Sequence, residues 1–164
     1  MILIDKYSNE FKLKNIADII SSFPLVILLS YTYSIVTDFS KEKIIFLVGF
    51  LIVSGIVDII KRLPYPNNFI EYTFRPDDAC DCNLLSNQGP VPRNPGFPSG
   101  HMATITFFVT YLILTNKQSN KLVLLSLIVM TGWARHYKCC HTLLQIIFGT
   151  IFGCFMALIW CKLF

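Results

Sequence analysis

Apolar residues dominate this chain in long windows that are separated by polar stretches. The windows are longer than strands and do not alternate as strand residues do, so they predict helices. They cover residues Ile16–Val36, Ile44–Ile60, Met102–Thr115, Leu122–Trp133 and Leu143–Trp160. A bilayer span needs about 20 mainly apolar residues, and the two shortest windows reach that length by extending into the polar residues at their ends. The pattern predicts an all-α, polytopic membrane helix bundle with about five transmembrane helices.

The connections between the windows differ in length. Thr37–Lys43 and Asn116–Lys121 are short, which favours antiparallel neighbours in an up-and-down bundle. The stretch from Lys61 to Gly100 is long and rich in Pro, Asn, Asp and Gly. Such a stretch cannot lie exposed to lipid, so we expect a polar loop that caps one membrane face. The first ten residues are compatible with an interfacial helix, and we expect no removable targeting segment there.

The composition supports a membrane location. Of the 164 residues, 54% are hydrophobic and only 15% are charged. These values differ strongly from those of soluble domains of this size. The length allows a single domain over residues 1–164, an integral, multi-pass membrane protein. The net charge of +4 suits anionic membranes and phosphate, and we expect no nucleic-acid partner.

Polar residues with chemical potential lie at the ends of the predicted spans. In a five-span bundle, the end of the second span, the start of the third, the end of the fourth and the start of the fifth all open to the same membrane face. The residues at these positions are Lys61, Arg62, His101, Arg135 and His141. The sequence therefore predicts one site on one face, beneath the long loop.

The cations of this site suit a dense anion, most simply phosphate, because the planar guanidinium matches phosphate oxygens. They are Lys61, Arg62, Arg75 and Arg135. Ser99 is a plausible cap for a helix that starts there, and Gly100 allows close backbone approach, so free N–H groups would point at the same anion. Such an arrangement would hold phosphate without a metal ion, and we expect no cofactor.

The two histidines have complementary uses in phosphoryl transfer. A neutral imidazole attacks phosphorus to form a phosphohistidine, whereas a protonated imidazole donates to the leaving oxygen. Histidine titrates near neutrality, so both states are accessible to His101 and His141. Gln145 follows His141 by one helical turn, where its amide oxygen is placed to accept the imidazole N–H and set the tautomer.

Three motifs make the chain resemble the type 2 phosphatidic acid phosphatase superfamily of membrane lipid phosphatases, which shares its core with vanadium haloperoxidases. The family's middle motif, P-S-G-H, is intact at Pro98–His101, and its third, S-R-x5-H-x3-D, corresponds to Ala134–Gln145. The first motif, K-x6-R-P, ends at Arg75 and the proline after it. Its lysine is either Lys61, about seven residues too far upstream, or Arg62 in its place.

Two positions of the third motif differ from the family pattern, with Ala134 in place of serine and Gln145 in place of aspartate. Dolichyl-diphosphate phosphatases are similar here, since they carry H-T-x-x-Q before an apolar helix that contains glycine. The resemblance therefore points to that subgroup. It covers the motif-bearing core, residues 61–160, whereas the first two spans match only in being apolar.

The resemblance implies a role for each matching residue. His141 would be the nucleophile and His101 the general acid. The phosphate ligands would be Lys61, Arg75 and Arg135, with Ser99 and Gly100 completing the anion pocket. The implied activity is metal-independent hydrolysis of a polyprenyl (dolichyl-type) diphosphate or a related lipid phosphate through a phosphohistidine intermediate.

Three alternatives stay open. Phosphatidic acid, or lipid phosphates in general, would be hydrolysed by the same chemistry, because the tail preference cannot be read from the motifs. A protein of another class would keep the site only to bind anionic lipids and would not turn them over. Haloperoxidase chemistry on the shared fold would need vanadate, and the lipid-embedded character of the chain disfavours it.

The cysteines near the predicted site suggest a covalent link. Cys80 and Cys82 lie in the long loop, and Cys139 and Cys140 lie between the last two spans. If this face is lumenal, one or two disulfides between the pairs become possible. A zinc site is the less favoured alternative, because the spacing differs from the usual C-x2-C. The distribution of lysines slightly favours a lumenal or other non-cytoplasmic active face, as the resemblance also implies.

Other polar residues and glycines are expected to have structural roles. Asp18 and Asp58 lie near the ends of spans, where solvation is the default. His136 falls outside the motif spacing and is expected to be exposed. The spacing of Gly149 and Gly153 fits a motif for close helix packing.

Overall fold

The structure, a computed structural model, describes residues 2–65, 69–82, 90–91, 94–116 and 120–164, with side chains from residue 12 onward except those of 70 and 71. The helices are α1 (Ile2–Ser21), α2 (Phe23–Thr37), α3 (Lys41–Arg62), α4 (Ile70–Thr73), α5 (Gly100–Thr115), α6 (Lys121–Tyr137) and α7 (Leu143–Leu163). In the described ranges, the only β-structure is two isolated bridges. The all-α prediction is confirmed.

Some of these helices have the length and composition of membrane spans. α3 and α7 are each long and apolar enough to cross a bilayer by that criterion. The part of α1 from Lys12 and the whole of α2 are together long and apolar enough to form one bent span. α5 is apolar but shorter. The described residues thus contain two clear candidate spans and up to three. The count of about five stays a prediction.

The first predicted window, Ile16–Val36, is divided into two helices. α1 ends at Ser21 and α2 begins at Phe23, and the two axes are bent by 42° at this junction. Pro24 lies in the first turn of α2. Proline fits there because it has no N–H group to leave unbonded, whereas in a helix interior it would break a hydrogen bond. Pro24 therefore marks a helix start within a window that hydropathy alone shows as continuous.

The largest core cluster joins α3, α5 and α7. Its buried members are Phe46, Phe50, Val53, Val57, Ala103, Phe107, Tyr111, Ala157 and Trp160. The indole N–H of Trp160 donates to the carbonyl of Ile45 over 3.0 Å, which satisfies a polar group that would otherwise be costly to bury. Large apolar side chains such as Leu51, Val129 and Phe155 are exposed on the outside of the bundle. An exposed apolar surface of this kind is compatible with insertion into lipid.

α5 and α7 approach each other closely at two glycines. A β-carbon at Gly149 would lie 2.5 Å from the carbonyl oxygen of Ser99, and one at Gly153 would overlap the carbonyl oxygen of Ala103. Real β-carbons do not make such contacts, so each glycine permits the backbones to touch. The predicted packing motif is confirmed. As a result, the first turn of α5 rests directly on α7.

We expect Gly153→Ala to destabilise the protein by about 1–3 kcal/mol, because the added methyl group must displace the backbone of α5. Gly55→Ala is the matched control. Gly55 is also helical, nothing lies within 4 Å of a β-carbon added there, and alanine favours the helix. Thermal unfolding in detergent, followed by tryptophan fluorescence, gives the comparison. Equal midpoints for the two variants would contradict the close packing of α5 on α7.

Candidate active site

A cavity of about 330 Å³ opens at the end of the bundle where α3 ends and where α5 and α7 begin. One half of its lining consists of Gly100 and the polar side chains of Asp58, Lys61, Arg75, His101 and His141. The other half comes mainly from α2 and α3 and is largely apolar: Pro24, Leu25, Leu28, Phe50, Ser54 and Thr104. The structure therefore brings together residues that the sequence placed at the ends of separate spans.

His141 is oriented by a buried glutamine. The side chains of His141 and Gln145 are 2% and 0% exposed, and Gln145 Oε1 lies 3.0 Å from His141 Nδ1. The amide nitrogen of Gln145 donates to the carbonyls of Tyr72, over 3.1 Å, and Phe74, over 2.7 Å. Because these carbonyls fix the orientation of the amide, its oxygen must accept the Nδ1–H of His141. Nε2 of His141 is then the unprotonated nitrogen.

The same glutamine joins three parts of the chain. Its side chain and that of Thr142 form a capping box at the start of α7. Its two amide donors hold the loop around α4, as described above. Its backbone carbonyl accepts the N–H of Ser99 over 3.1 Å, at the start of α5. The position and tautomer of His141 therefore depend on one residue that also fixes the long loop and α5.

The surroundings of His141 keep its imidazole neutral. Burial lowers the pKa of His141 well below its ordinary value, and the positive charges of Arg135 and Arg75 lower it further. The hydrogen bond to Gln145 acts in the opposite direction but is a smaller effect. At neutral pH the side chain thus has a lone pair on Nε2, which is the state a nucleophile requires.

Buried polar atoms near the start of α5 lack partners within the described part of the chain. Ser99 occupies the N-cap position of α5 and is fully buried, but its hydroxyl makes no capping hydrogen bond. Ser99 therefore occupies the expected N-cap position, but its side chain does not cap the helix. Ser99 Oγ and His101 Nε2 have no hydrogen-bond partner among the described residues. Such atoms at a helix N-terminus suit a polar ligand that bonds to them.

Arg135 lies in the last turn of α6 and is 1% exposed. Its Nη2 donates to the carbonyl of Cys82 over 2.7 Å, and its Nη1 donates to Ser21 Oγ over 3.4 Å. Nε has no partner among the residues that the structure describes. Arg135 is not part of the cavity lining, but its charge acts on His141.

The two candidates for the first-motif lysine have different positions. Lys61 lines the cavity, its Nζ lies 3.8 Å from Asp58 Oδ1, and a β-carbon on Gly100 would lie 3.4 Å from the same Nζ. Arg62 is exposed and does not line the cavity. Adjacent helical residues point about 100° apart, so only one of the two faces the site. The geometry therefore favours Lys61 over Arg62 as the lysine of the first motif.

If Lys61 binds phosphate, as the family resemblance implies, Lys61→Ala should reduce kcat/KM for a lipid phosphate about 10- to 100-fold, because a charge-assisted contact is lost. Arg62→Ala should change kcat/KM by no more than roughly twofold, since an exposed charge contributes little. Steady-state phosphate release by the two purified variants tests this. A larger loss for Arg62→Ala would assign the motif position to Arg62 instead.

Two acidic residues have partners that the sequence did not suggest. Asp58 was expected to be solvated, and its side chain is 63% exposed, but it lines the cavity and pairs with Lys61. Their i,i+3 spacing on one helix was the available signal. Asp18, also expected to be solvated, pairs with Lys138. That contact joins residues 120 positions apart, so no local pattern predicts it. His136 is exposed, as expected.

The cysteines near the site form one bridge. Cys82 is bonded to Cys140, one of the predicted pairings, whereas Cys80 and Cys139 are free thiols. This pairing uses two of the four thiols that the zinc alternative required. Within the described residues, no group of three or more His, Cys, Asp or Glu side chains is arranged to hold a metal ion.

Comparison with protein families gives a match to the PAP2 superfamily over residues 42–164. The match includes the polar lining of the cavity, Gln145 and Arg135, while α1 and α2 precede it. It agrees with the superfamily suggested by the sequence motifs, and the dolichyl-diphosphate phosphatase subgroup stays a prediction. No curated protein and no solved structure matches the chain.

Proposed function

This chain belongs to the PAP2 superfamily, and we propose on that basis that it is a membrane-embedded phosphatase that hydrolyses lipid phosphates. The observation that carries the proposal is the arrangement around His141. A buried neutral imidazole, held by Gln145, faces a cavity that also contains Lys61, Arg75 and His101. A fixed nucleophile, a second imidazole and cations for the phosphate oxygens are the parts that metal-independent phosphoryl transfer requires.

In the proposed reaction, His141 Nε2 attacks the terminal phosphorus. A P–N bond forms, the P–O bond to the lipid breaks, and His101 donates a proton to the departing oxygen. Water then attacks the phosphohistidine, gives its proton to His101 and releases inorganic phosphate. Lys61, Arg75 and Arg135, with Ser99 and Gly100, are the proposed phosphate ligands throughout.

The lining of the cavity supports an amphiphilic substrate. Its polar half is continuous with the apolar side chains of Leu25, Leu28 and Phe50. A molecule with a phosphate head and a hydrocarbon tail would satisfy both halves at once. Polyprenyl diphosphate is the leading candidate, supported by Gln145 and the resemblance to dolichyl-diphosphate phosphatases. Phosphatidic acid is the alternative within the same chemistry.

We place the proposed site on the lumenal or extracytoplasmic face of a multi-pass protein with about five spans and a single domain. The Cys82–Cys140 bridge supports this side, because disulfides persist in oxidising compartments and are rare in the cytosol. The slight lysine bias towards the opposite face agrees with it.

The test is phosphate release by the purified full chain in detergent, with EDTA present. The substrates are a polyprenyl diphosphate, a polyprenyl monophosphate and phosphatidic acid. We expect release in EDTA, fastest from the diphosphate. Faster release from phosphatidic acid would support the alternative substrate. Lipid binding by folded protein without release from any of the three would identify a non-enzymatic anionic-lipid-binding protein and refute the proposal.

A further inference from the structure

Three contacts form a closed ring around Arg135. Its Nη2 donates to the carbonyl of Cys82 over 2.7 Å. Cys82 is covalently bonded to Cys140. The backbone N–H of Cys140 donates to the carbonyl of Arg135 itself over 3.1 Å. The bridge therefore links Cys82, whose carbonyl accepts from the Arg135 guanidinium, to Cys140, which is hydrogen-bonded to the backbone of Arg135.

The ring is inaccessible to water. Arg135 and Cys82 are each 1% exposed, Cys140 is fully buried, and both cysteines pack with Ala79 and Val91. In such surroundings, no solvent molecule is at hand to replace a lost acceptor, so a displaced carbonyl leaves a buried charge without compensation. The direction of the guanidinium consequently depends on where the protein holds the Cys82 carbonyl.

The other nitrogens of Arg135 differ in their partners. Ser21 Oγ, at the end of α1, accepts from Nη1. α1 is tied to the connection between α6 and α7 by the ion pair of Asp18 with Lys138. Nη1 and Nη2 each donate to one of these acceptors, whereas Nε has no partner within the described ranges. A guanidinium clamped at its far end presents Nε in a fixed direction.

We propose that the Cys82–Cys140 bridge is a positioning element of the phosphate site, which aims Arg135 by holding the Cys82 carbonyl against Nη2. This rests on the proposed function, since it assigns phosphate binding to Arg135. The bridge closes a long segment, as its cysteines are 58 positions apart in the sequence. Without it, Cys82 loses its covalent tie to the connection between α6 and α7, and the Cys82 carbonyl is no longer held in one place.

The test compares two double variants of the full chain. Cys82→Ala/Cys140→Ala removes the bridge, and Cys80→Ala/Cys139→Ala removes two unbridged thiols from the same loops. Equilibrium binding of inorganic phosphate, measured by calorimetry, is the readout, with thermal unfolding as a check on folding. We expect the bridge variant to bind phosphate about 10- to 100-fold more weakly, because a misplaced ligand loses most of its contribution. The control should stay within roughly twofold of the wild type.

Arg135→Ala separates positioning from general stability. If the bridge acts through Arg135, then removing the bridge from the Arg135→Ala protein should weaken phosphate binding little further. An equal loss in both backgrounds would show that the bridge is merely structural and would overturn the inference. So would unchanged phosphate affinity in the bridge variant.

A folding defect does not prevent the test. In Cys80→Ala/Cys139→Ala protein, the Cys82–Cys140 bond is the one disulfide of these loops among the described residues. Because it is buried, it is reduced with a phosphine under mildly destabilising conditions, and complete reduction is verified by thiol labelling of a denatured sample. Phosphate affinity before and after reduction should then differ by the same factor, and equal affinities would refute the inference. Failure of the proposed function is distinguishable, because it appears as wild-type protein that releases no phosphate from lipids, whatever its affinity for phosphate.

Discussion

Replacing His141 with alanine is expected to lower phosphate release from lipid phosphates by at least about a thousandfold, because the covalent route through a phosphohistidine is lost. The side chain is 2% exposed, and its pKa is held well below the ordinary histidine value. Its Nδ1–H is bonded to Gln145. His141 thus keeps Nε2 unprotonated and in a fixed orientation. Among the described residues that line the cavity, His101 is the only other imidazole.

The matched control is His136→Ala. His136 is a histidine of the same region, but it is exposed, so its loss should leave turnover within roughly twofold of the wild type. Trapping with ³²P-labelled substrate and an alkaline quench should label the wild type and the control but not His141→Ala. Comparable turnover in the two histidine variants would exclude His141 as the nucleophile.

His141→Ala also distinguishes an enzyme from a lipid-binding protein. Alanine leaves the cations of the site in place, so lipid binding should survive in the variant while turnover is lost. If wild-type and variant protein bind lipid equally and neither releases phosphate, the site is a receptor for anionic lipids. The two classes of function therefore give opposite results for the wild type in one experiment.

Gln145→Glu is expected to reduce kcat about 10- to 100-fold and to lower the thermal midpoint, although it restores a carboxylate of the kind the family motif has at this position. The carboxylate would still accept from His141 and from the N–H of Thr142. It cannot donate to the carbonyls of Tyr72 and Phe74, which receive hydrogen bonds from the amide in the wild type. One of its oxygens would instead face two carbonyl oxygens in a fully buried position.

Gln145→Met is the matched comparison, since methionine has similar length but neither accepts nor donates as the amide does. If orienting the imidazole were the only role of Gln145, the glutamate variant would be clearly more active than the methionine variant. We expect the glutamate variant to be no more active than the methionine variant, because the glutamate also disturbs the loop around α4. A glutamate variant as active as the wild type would show that the loop anchor is dispensable.

The sequence predicted those features that depend on local pattern. Hydropathy identified the helical segments, the glycine spacing predicted that α7 packs closely against another helix, and the positions of His101 and His141 at helix ends predicted a shared site. Pro24 indicates the break before α2, but the average hydropathy of the window Ile16–Val36 does not show it. The number of spans is harder to predict. α5 is apolar but has only 16 residues, and α6 has 17 residues and is not among the apolar helices of the described chain.

The contacts that position the site join distant parts of the chain, and sequence pattern does not reveal them. Gln145 bonds to carbonyls 71 and 73 residues away, and Arg135 bonds to one 53 residues away. Backbone carbonyls carry no residue identity, so no motif marks them. Similarly, four cysteines allow several pairings, and only the three-dimensional approach of two loops selects Cys82 with Cys140.

The cavity is lined partly by α5 and the start of α7, which are in close contact, and partly by α2. Ser99 is bonded to the backbone of Gln145, and Gly149 leaves no gap between the two helices, so the segments that carry His101 and His141 form one rigid unit. Pro24, Leu25 and Leu28 contribute to the lining from α2, which precedes the family match. Under the proposed function, mutations in α2 could retune the preference for a hydrocarbon tail while the phosphate chemistry is conserved. Such an arrangement would let related enzymes diverge in substrate range through one exchangeable N-terminal segment.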